Sequence, residues 1–238
     1  MNSTTLNQLV LNHNSIEGWL TINEGKKLYH LALSKNGQTI VEIGSWHGKS
    51  TLYLAAACKE NKSGQVFAVD PHLGSWSAED HKKPTYKSFI NNLRKANVST
   101  YVKSLITTSQ KAVETWKSPI DLLFIDGLHD YKNSSFDFLH WTKHLKDGGY
   151  VILHDAFCGQ EGPMRVAQGL LFPDISFSNI KVSGSMIYAL KNANRNTRLL
   201  IDMLRIKLIR LSHHIYNSHL PNILKIIIIH KILKIFLI

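Results

Sequence analysis

Cysteine is scarce in this chain, and no uncharged apolar run approaches the length of a membrane span. Two cysteines, Cys58 and Cys158, in 238 residues exclude a disulfide framework and a cysteine-ligated metal cluster. The opening stretch MNSTTLNQLV has no basic segment leading into an apolar one, so no secretory signal is read there. There is no internal repeat, which removes solenoids and propellers. Acidic residues are few, 17 against 28 Lys and Arg, for a net charge of +11. That imbalance is local. From residue 191 onward nine basic residues face only Asp202, a balance of +8, which leaves +3 for residues 1–190. The main body is nearly neutral, so a nucleic-acid partner is not expected from charge. The plain reading is a cytoplasmic globular protein, with 44% apolar and 19% charged residues.

What is present is alternation. Residues 1–36 read as amphipathic helix, with Ile16, Trp19 and Leu20, then Leu28, Leu31 and Ala32 at helical spacing. Asn36-Gly37 ends it. Strands are predicted over Thr39–Ile43, Gln65–Val69, Thr100–Ile106, Ile120–Ile125 and Tyr150–Leu153. Helices fall near Ser50–Lys59, Thr85–Ala96, Gln110–Trp116 and Ser134–Leu145, the last stopped by Asp147-Gly148-Gly149. Runs such as Leu122-Leu123-Phe124-Ile125 suit strands covered on both faces, hence a parallel central sheet. Two further runs, Ile175–Val182 and Ser185–Leu190, flank Ser183-Gly184 and predict a closing antiparallel hairpin. The composition changes after Leu190, where the domain should end.

The loop after the first strand, Gly44-Ser45-Trp46-His47-Gly48-Lys49-Ser50, admits two readings. A phosphate-binding loop needs four residues between its glycines, and only three stand here. Such a loop would also place Glu42 beside a phosphate, which is unfavourable. An S-adenosylmethionine loop instead uses the glycines for close backbone approach. Glu42 then faces an ammonium and a sulfonium. The second strand ends in Asp70, at the carboxyl edge where open α/β folds bind ligands. A carboxylate there can accept both ribose hydroxyls, or it can serve only as a helix cap. A nicotinamide dinucleotide is disfavoured, since Trp46 stands where the second glycine of its fingerprint belongs.

Strand four runs into Asp126-Gly127-Leu128-His129-Asp130-Tyr131 and strand five into His154-Asp155. Asp126, His154 and Asp155 form a candidate site for a hard divalent cation, Mg²⁺. The competing reading makes these acids capping groups. His129 lies within reach to act as general base on an acceptor hydroxyl. Trp46, Trp76 and Trp141 read as packing residues.

Four ordered motifs, VEIGSWHGKST, VFAVDPH, DLLFIDGLHDY and LKDGGYVILHD, resemble the class I methyltransferases. They are most similar to the subgroup of cephalosporin hydroxylase-like proteins and macrolide-sugar O-methyltransferases, over roughly residues 16–190. The resemblance implies a Rossmann-like, mostly parallel seven-stranded sheet with a terminal hairpin. It implies that Glu42, Gly44, Ser45 and Gly48 hold the methionine end of S-adenosylmethionine, Asp70 its ribose and Ser109 its adenine, with Asp126 also at the cofactor. It implies metal ligation by Asp126 and Asp155, and a base at His129. His154 departs from it, standing where metal-dependent members carry an acid.

Residues 195–211 read as a basic amphipathic helix, with Arg195, Arg198, Asp202 and Arg205 opposite Leu200, Leu204, Leu208 and Leu211. Residues 223–238 are Ile and Leu broken by Lys225, Lys231 and Lys234, short of the about 20 apolar residues that span a bilayer. This tail suits peripheral contact at the inner membrane surface, cover for an apolar patch on the domain, self-association, or a poorly ordered end. The expected organisation is a helical lid at 1–34, a cofactor domain at 35–190 and a helical tail at 191–238. The expected activity is O-methylation of a small-molecule hydroxyl, a saccharide or glycosylated metabolite favoured. A nucleotide-dependent phosphotransferase and a non-catalytic cofactor-binding scaffold are the rivals.

Overall fold

The computed structural model describes residues 4–34, 36–74, 83–157, 160–192 and 200–236. Cys158 and Trp76 lie outside the described residues, as do Arg195 and Arg198 of the predicted tail helix. The chain begins with helices α1 (Thr4–Leu11) and α2 (Ile22–Leu33), then alternates β1 (Thr39–Ile43), α3 (Lys49–Glu60), β2 (Gln65–Val69), α4 (Tyr86–Lys95), β3 (Val102–Leu105), α5 (Ser109–Thr115), β4 (Ile120–Ile125), α6 (Tyr131–Trp141) and β5 (Leu145–Leu153). Helix α7 (Glu161–Val166) precedes the hairpin β6 (Phe177–Ser183) and β7 (Met186–Lys191), followed by α8 (Leu200–Tyr216) and α9 (Asn222–Phe236).

The seven strands run in the order β3-β2-β1-β4-β5-β7-β6. Strands β1 to β5 are parallel, and β7 pairs antiparallel with both β5 and β6. This is the Rossmann-like methyltransferase arrangement, terminal hairpin included. The apolar run of β4 explains why the sheet is central. Leu123 and Ile125 join one buried cluster, with Phe138 and Trp141 of α6. Leu122 and Phe124 join the other, with Leu28 and Tyr29 of α2 and Leu52 of α3. Alternate side chains along one strand thus serve two cores, each contributing about 1.5–3 kcal/mol of burial.

The structure corrects three local expectations. Helix α6 does not run to a glycine stop. It gives way to a 3-10 turn at Thr142–His144, and Asp147-Gly148-Gly149 lie inside β5. Residues 1–36 form two helices separated by a 3-10 turn at His13–Ser15. The second starts at a capping box, in which the Thr21 backbone N–H donates to Glu24 Oε2 (2.7 Å) and Thr21 Oγ1 accepts from the Glu24 N–H (3.3 Å). Tail helix α8 is rotated from its predicted orientation: Asp202 is fully buried, while Leu204 and Leu211 face solvent.

Candidate active site

The carboxyl ends of β1, β2, β4 and β5 open into one cleft of about 650 Å³, within the range of small-molecule and cofactor sites. Gly44, Ser45, Asp70, Ser109, Asp126, His129, His154 and Asp155 all line it. Among the sequence-predicted site residues, Glu42 and Gly48 do not.

The β1 loop crosses under the cleft at Gly44, whose φ is +84°. A Cβ there would lie 2.1 Å from the Asp126 carbonyl oxygen, so the position admits only glycine. Among the described residues Asp70 caps no helix. Its Oδ2 accepts from the backbone N–H groups of Ser45 (2.9 Å) and Trp46 (2.7 Å), and its Oδ1 from that of His72 (2.6 Å). The acid of β2 therefore fixes the shape of the β1 loop. Glu42 sits behind that loop, fully buried, accepting from the Ser50 and Thr51 hydroxyls at 2.5 Å each. Burial pushes its carboxyl up to about 8, against those two donors. Glu42 thus anchors the start of α3 instead of facing a ligand's positive charge. Gly48, at φ +87°, is the left-handed N-cap of that helix. Lys49 also lines the cleft, its Nζ donating to the Gly18 carbonyl (2.9 Å).

Across the cleft the arrangement is ionic. His154 Nδ1 lies 2.9 Å from Asp126 Oδ1 and 3.6 Å from Asp155 Oδ2, and its Nε2 lies 3.9 Å from Glu24 Oε2. His129 Nε2 stands 3.6 Å from Asp126 and 3.7 Å from Asp155, with no hydrogen-bond partner of its own. Burial disfavours the charged form of His154, but Asp126, aided by Glu24 and Asp155, outweighs it and holds the imidazole well above its ordinary value. Burial likewise works against ionised Asp126, yet His154 and His129 hold its carboxyl below the usual range. Asp155 adopts a left-handed φ of 50°, a conformation that costs a non-glycine residue roughly 1–2 kcal/mol. That turn keeps its carboxylate beside both imidazoles.

Ser109, at the start of α5, donates to Asp137 and accepts from Trp141 Nε1 (2.7 Å). Burial pushes the Asp137 carboxyl up to about 6. Trp141 is a packing residue with one polar task. Trp46 packs at the cleft, its ring stacked on exposed Trp19, centroids 4.9 Å apart and nearly parallel.

Glu24 escaped the sequence reading. Its Oε1 accepts from the backbone N–H (2.6 Å) and hydroxyl (2.8 Å) of Ser185 in the β6–β7 turn, which brings α2 against His154. The Thr-x-x-Glu spacing at Thr21 and Glu24 is a signal for a cap and carries none for that second contact. Gly162 was missed as well. A Cβ there would meet the His129 carbonyl at 2.1 Å, so its lack of a side chain lets α7 approach the strand-four loop.

Residues 41–156 match the family model described as a methyltransferase domain. An uncharacterized protein of Acanthamoeba polyphaga mimivirus, R132, is 31% identical over 121 residues, covering 51% of this chain and 52% of that protein. The chain therefore spans about half the length of that relative. The cofactor-bound structure of Rv0187 from MTB superposes with a TM-score of 0.60 at 17% identity, over 81% of this chain and 92% of that one. The O-methyltransferase TomG from Streptomyces achromogenes, involved in tomaymycin synthesis and solved with S-adenosylmethionine, gives 0.57 at 16% identity over the same shares. At such identities the likeness is one of fold. The fold is that of the class I, S-adenosylmethionine-dependent methyltransferases. Within it, residues 41–156 are the part of this chain that the methyltransferase-domain family model matches.

Proposed function

We propose that the protein is an S-adenosylmethionine-dependent O-methyltransferase acting on a hydroxyl of a small molecule, a saccharide or glycosylated metabolite being the favoured class. The observation that carries this is the convergence of the glycine bend, Asp70, Asp126, His129 and Asp155 on one cleft. S-Adenosylmethionine, when bound, supplies an electrophilic methyl group on its sulfonium. Gly44 and Ser45 give the close backbone surface for its methionine end, and Asp70 the acceptor for its ribose. His129 Nε2 takes the proton of the acceptor hydroxyl, and the two carboxylates beside it offset the charge it gains. The rest of the work is positioning.

The donor set of Asp126, Asp155 and His154, whose ligand atoms lie within 4.8 Å of one another, fits a divalent cation such as Mg²⁺, with the two carboxylates as its hard ligands. A cation held there supplies Lewis-acid charge that lowers the pKa of the acceptor hydroxyl. A second reading is favoured by the 2.9 Å contact between His154 and Asp126. In it the protonated imidazole itself provides the positive charge, at the position where the resemblance to metal-dependent methyltransferases implies an acid.

Calorimetry with S-adenosylmethionine, with and without Mg²⁺, tests both. We expect micromolar-range binding, lost in Asp70→Ala. Binding of ATP in place of S-adenosylmethionine would reverse the assignment. Cofactor binding without methyl transfer to any hydroxylated compound would leave only a scaffold. Transfer that survives a chelator selects the imidazolium reading.

A further inference from the structure

The segment from Leu200 to Phe236 is basic and apolar at once, and the structure buries one apolar stripe while leaving the cations and further apolar side chains together on the outer face. Its sole acid, Asp202, is fully buried. The carboxylate accepts from the backbone N–H groups of Asn179 (2.8 Å) and Ile180 (3.0 Å), where the register of β6 against β7 shifts. Arg205 lies beside it, 3.4 Å away. Ile206 and Ile209 of α8 and Ile232 of α9 enter the same core cluster, and both helices pack on β6 and on each other.

The docking leaves the opposite faces uncovered. Met203, Leu204 and Leu211 on α8 and Ile223, Ile226 and Ile227 on α9 are exposed, Ile223 to 75% and Ile226 to 67%. Lys207, Arg210 and Lys231 are exposed among them. With Asp202 inside, no carboxylate of this segment answers those cations. A second copy of the same face would set like charges against like, which is unfavourable. An anionic surface with an apolar layer beneath it answers both features. Crossing is excluded for these helices: among the described residues none is long and apolar enough, and the 15 residues of α9 extend only about 22 Å.

We propose that the outer face of α8 and α9 is a membrane-surface contact, seated on an anionic bilayer with the isoleucines and leucines in the headgroup boundary and the cations among the lipid phosphates. This stands independently of the methyl-transfer assignment. The test is co-sedimentation of the full chain with phosphatidylcholine vesicles, with and without phosphatidylglycerol. Binding is expected only to the anionic vesicles, and it should weaken as salt is raised to roughly 1 M, where the Debye length is about 3 Å. The double variant Lys207→Gln/Lys231→Gln should lower the partition about 30-fold, from roughly 1 kcal/mol for each cation near the surface. Ile223→Ser/Ile227→Ser should lower it as well, with the thermal midpoint and S-adenosylmethionine affinity of both variants unchanged. Equal binding to neutral vesicles would overturn the charge argument. A chain that ignores both vesicles, or that forms a dimer in light scattering dispersed by Ile223→Ser/Ile227→Ser, would overturn the proposal.

Discussion

The two halves of the cleft are built by different means. Over β1 and β2 the shape is set by backbone: a left-handed glycine against the Asp126 carbonyl, and three amides gathered on Asp70. Over β4 and β5 it is set by charge: two imidazoles interleaved with two carboxylates, and Glu24 behind them. The first half fails through sterics, the second through electrostatics. Substitutions on the two sides should therefore separate cofactor binding from turnover.

The widest separation is expected at His129. His129→Ala should lower kcat by about 10²–10⁴-fold, the usual contribution of a general base. The dissociation constant for S-adenosylmethionine should stay within a factor of two or so, below about 0.4 kcal/mol. Transfer of a labelled methyl group, set beside calorimetry, measures the split. A parallel loss of cofactor affinity would erase the distinction between the halves.

Gly44→Ala tests the other side. The new methyl cannot coexist with the Asp126 carbonyl at 2.1 Å, so β1 and β4 must part at their tips. Loss of about 3 kcal/mol of stability is expected, and cofactor binding should fall below detection. Thermal unfolding and calorimetry report the two effects. Normal binding in this variant would show that the bend is not part of the pocket.

Glu42 sharpens the contrast, because it lies on the backbone side and yet is titratable. Its folded-state value of about 8 stands above an ordinary carboxyl of 4.5, so the folded protein holds this proton more tightly than the unfolded chain. Stability from this group is therefore complete below about pH 4.5 and declines as pH rises to about 8. Each unit of that shift is worth about 1.4 kcal/mol, or roughly 3–5 °C in a chain of this size. Glu42→Gln should flatten the decline of the thermal midpoint over that window and leave the protein more stable than the parent at pH 9. An unchanged pH profile would mean that the Ser50 and Thr51 hydroxyls keep Glu42 ionised.

The same contrast explains what could be read from the sequence. Strands β1, β2 and β4 were legible to the residue because their apolar runs end abruptly at Gly44, Asp70 and Asp126. The hairpin was legible from Ser183-Gly184. Asp126, His129, His154 and Asp155 were legible as a group because parallel strands deliver their carboxyl ends to one edge. Burial was not legible. Glu42 and Asp70 both stand at or near a strand end, but alternation along β1 turns Glu42 inward, under α3. The long-range contacts of Glu24 left no local trace beyond a capping pattern. Helix α8 was misjudged because helical spacing permits more than one apolar stripe. The one that won was chosen by the free amides of Asn179 and Ile180, which drew Asp202 inside.

The smallest expected effect lies next to the largest. Asp130 adjoins His129 in the same loop, but its Oδ1 accepts from the Asn133 N–H (3.0 Å) and its Oδ2 from the Asn133 side chain (2.7 Å). It is the N-cap of α6, and these donors hold its carboxyl below the usual range. Asp130→Ala should cost about 1 kcal/mol of stability, a fall of roughly 2–4 °C in the thermal midpoint. Because the cap also steadies the turn that carries His129, kcat should drop by no more than about threefold, an energy below 1 kcal/mol. Asp130→Ser, which restores an oxygen acceptor, should recover most of both. A loss of turnover as deep as that of His129→Ala, unrescued by serine, would move Asp130 from the scaffold into the charged half of the cleft.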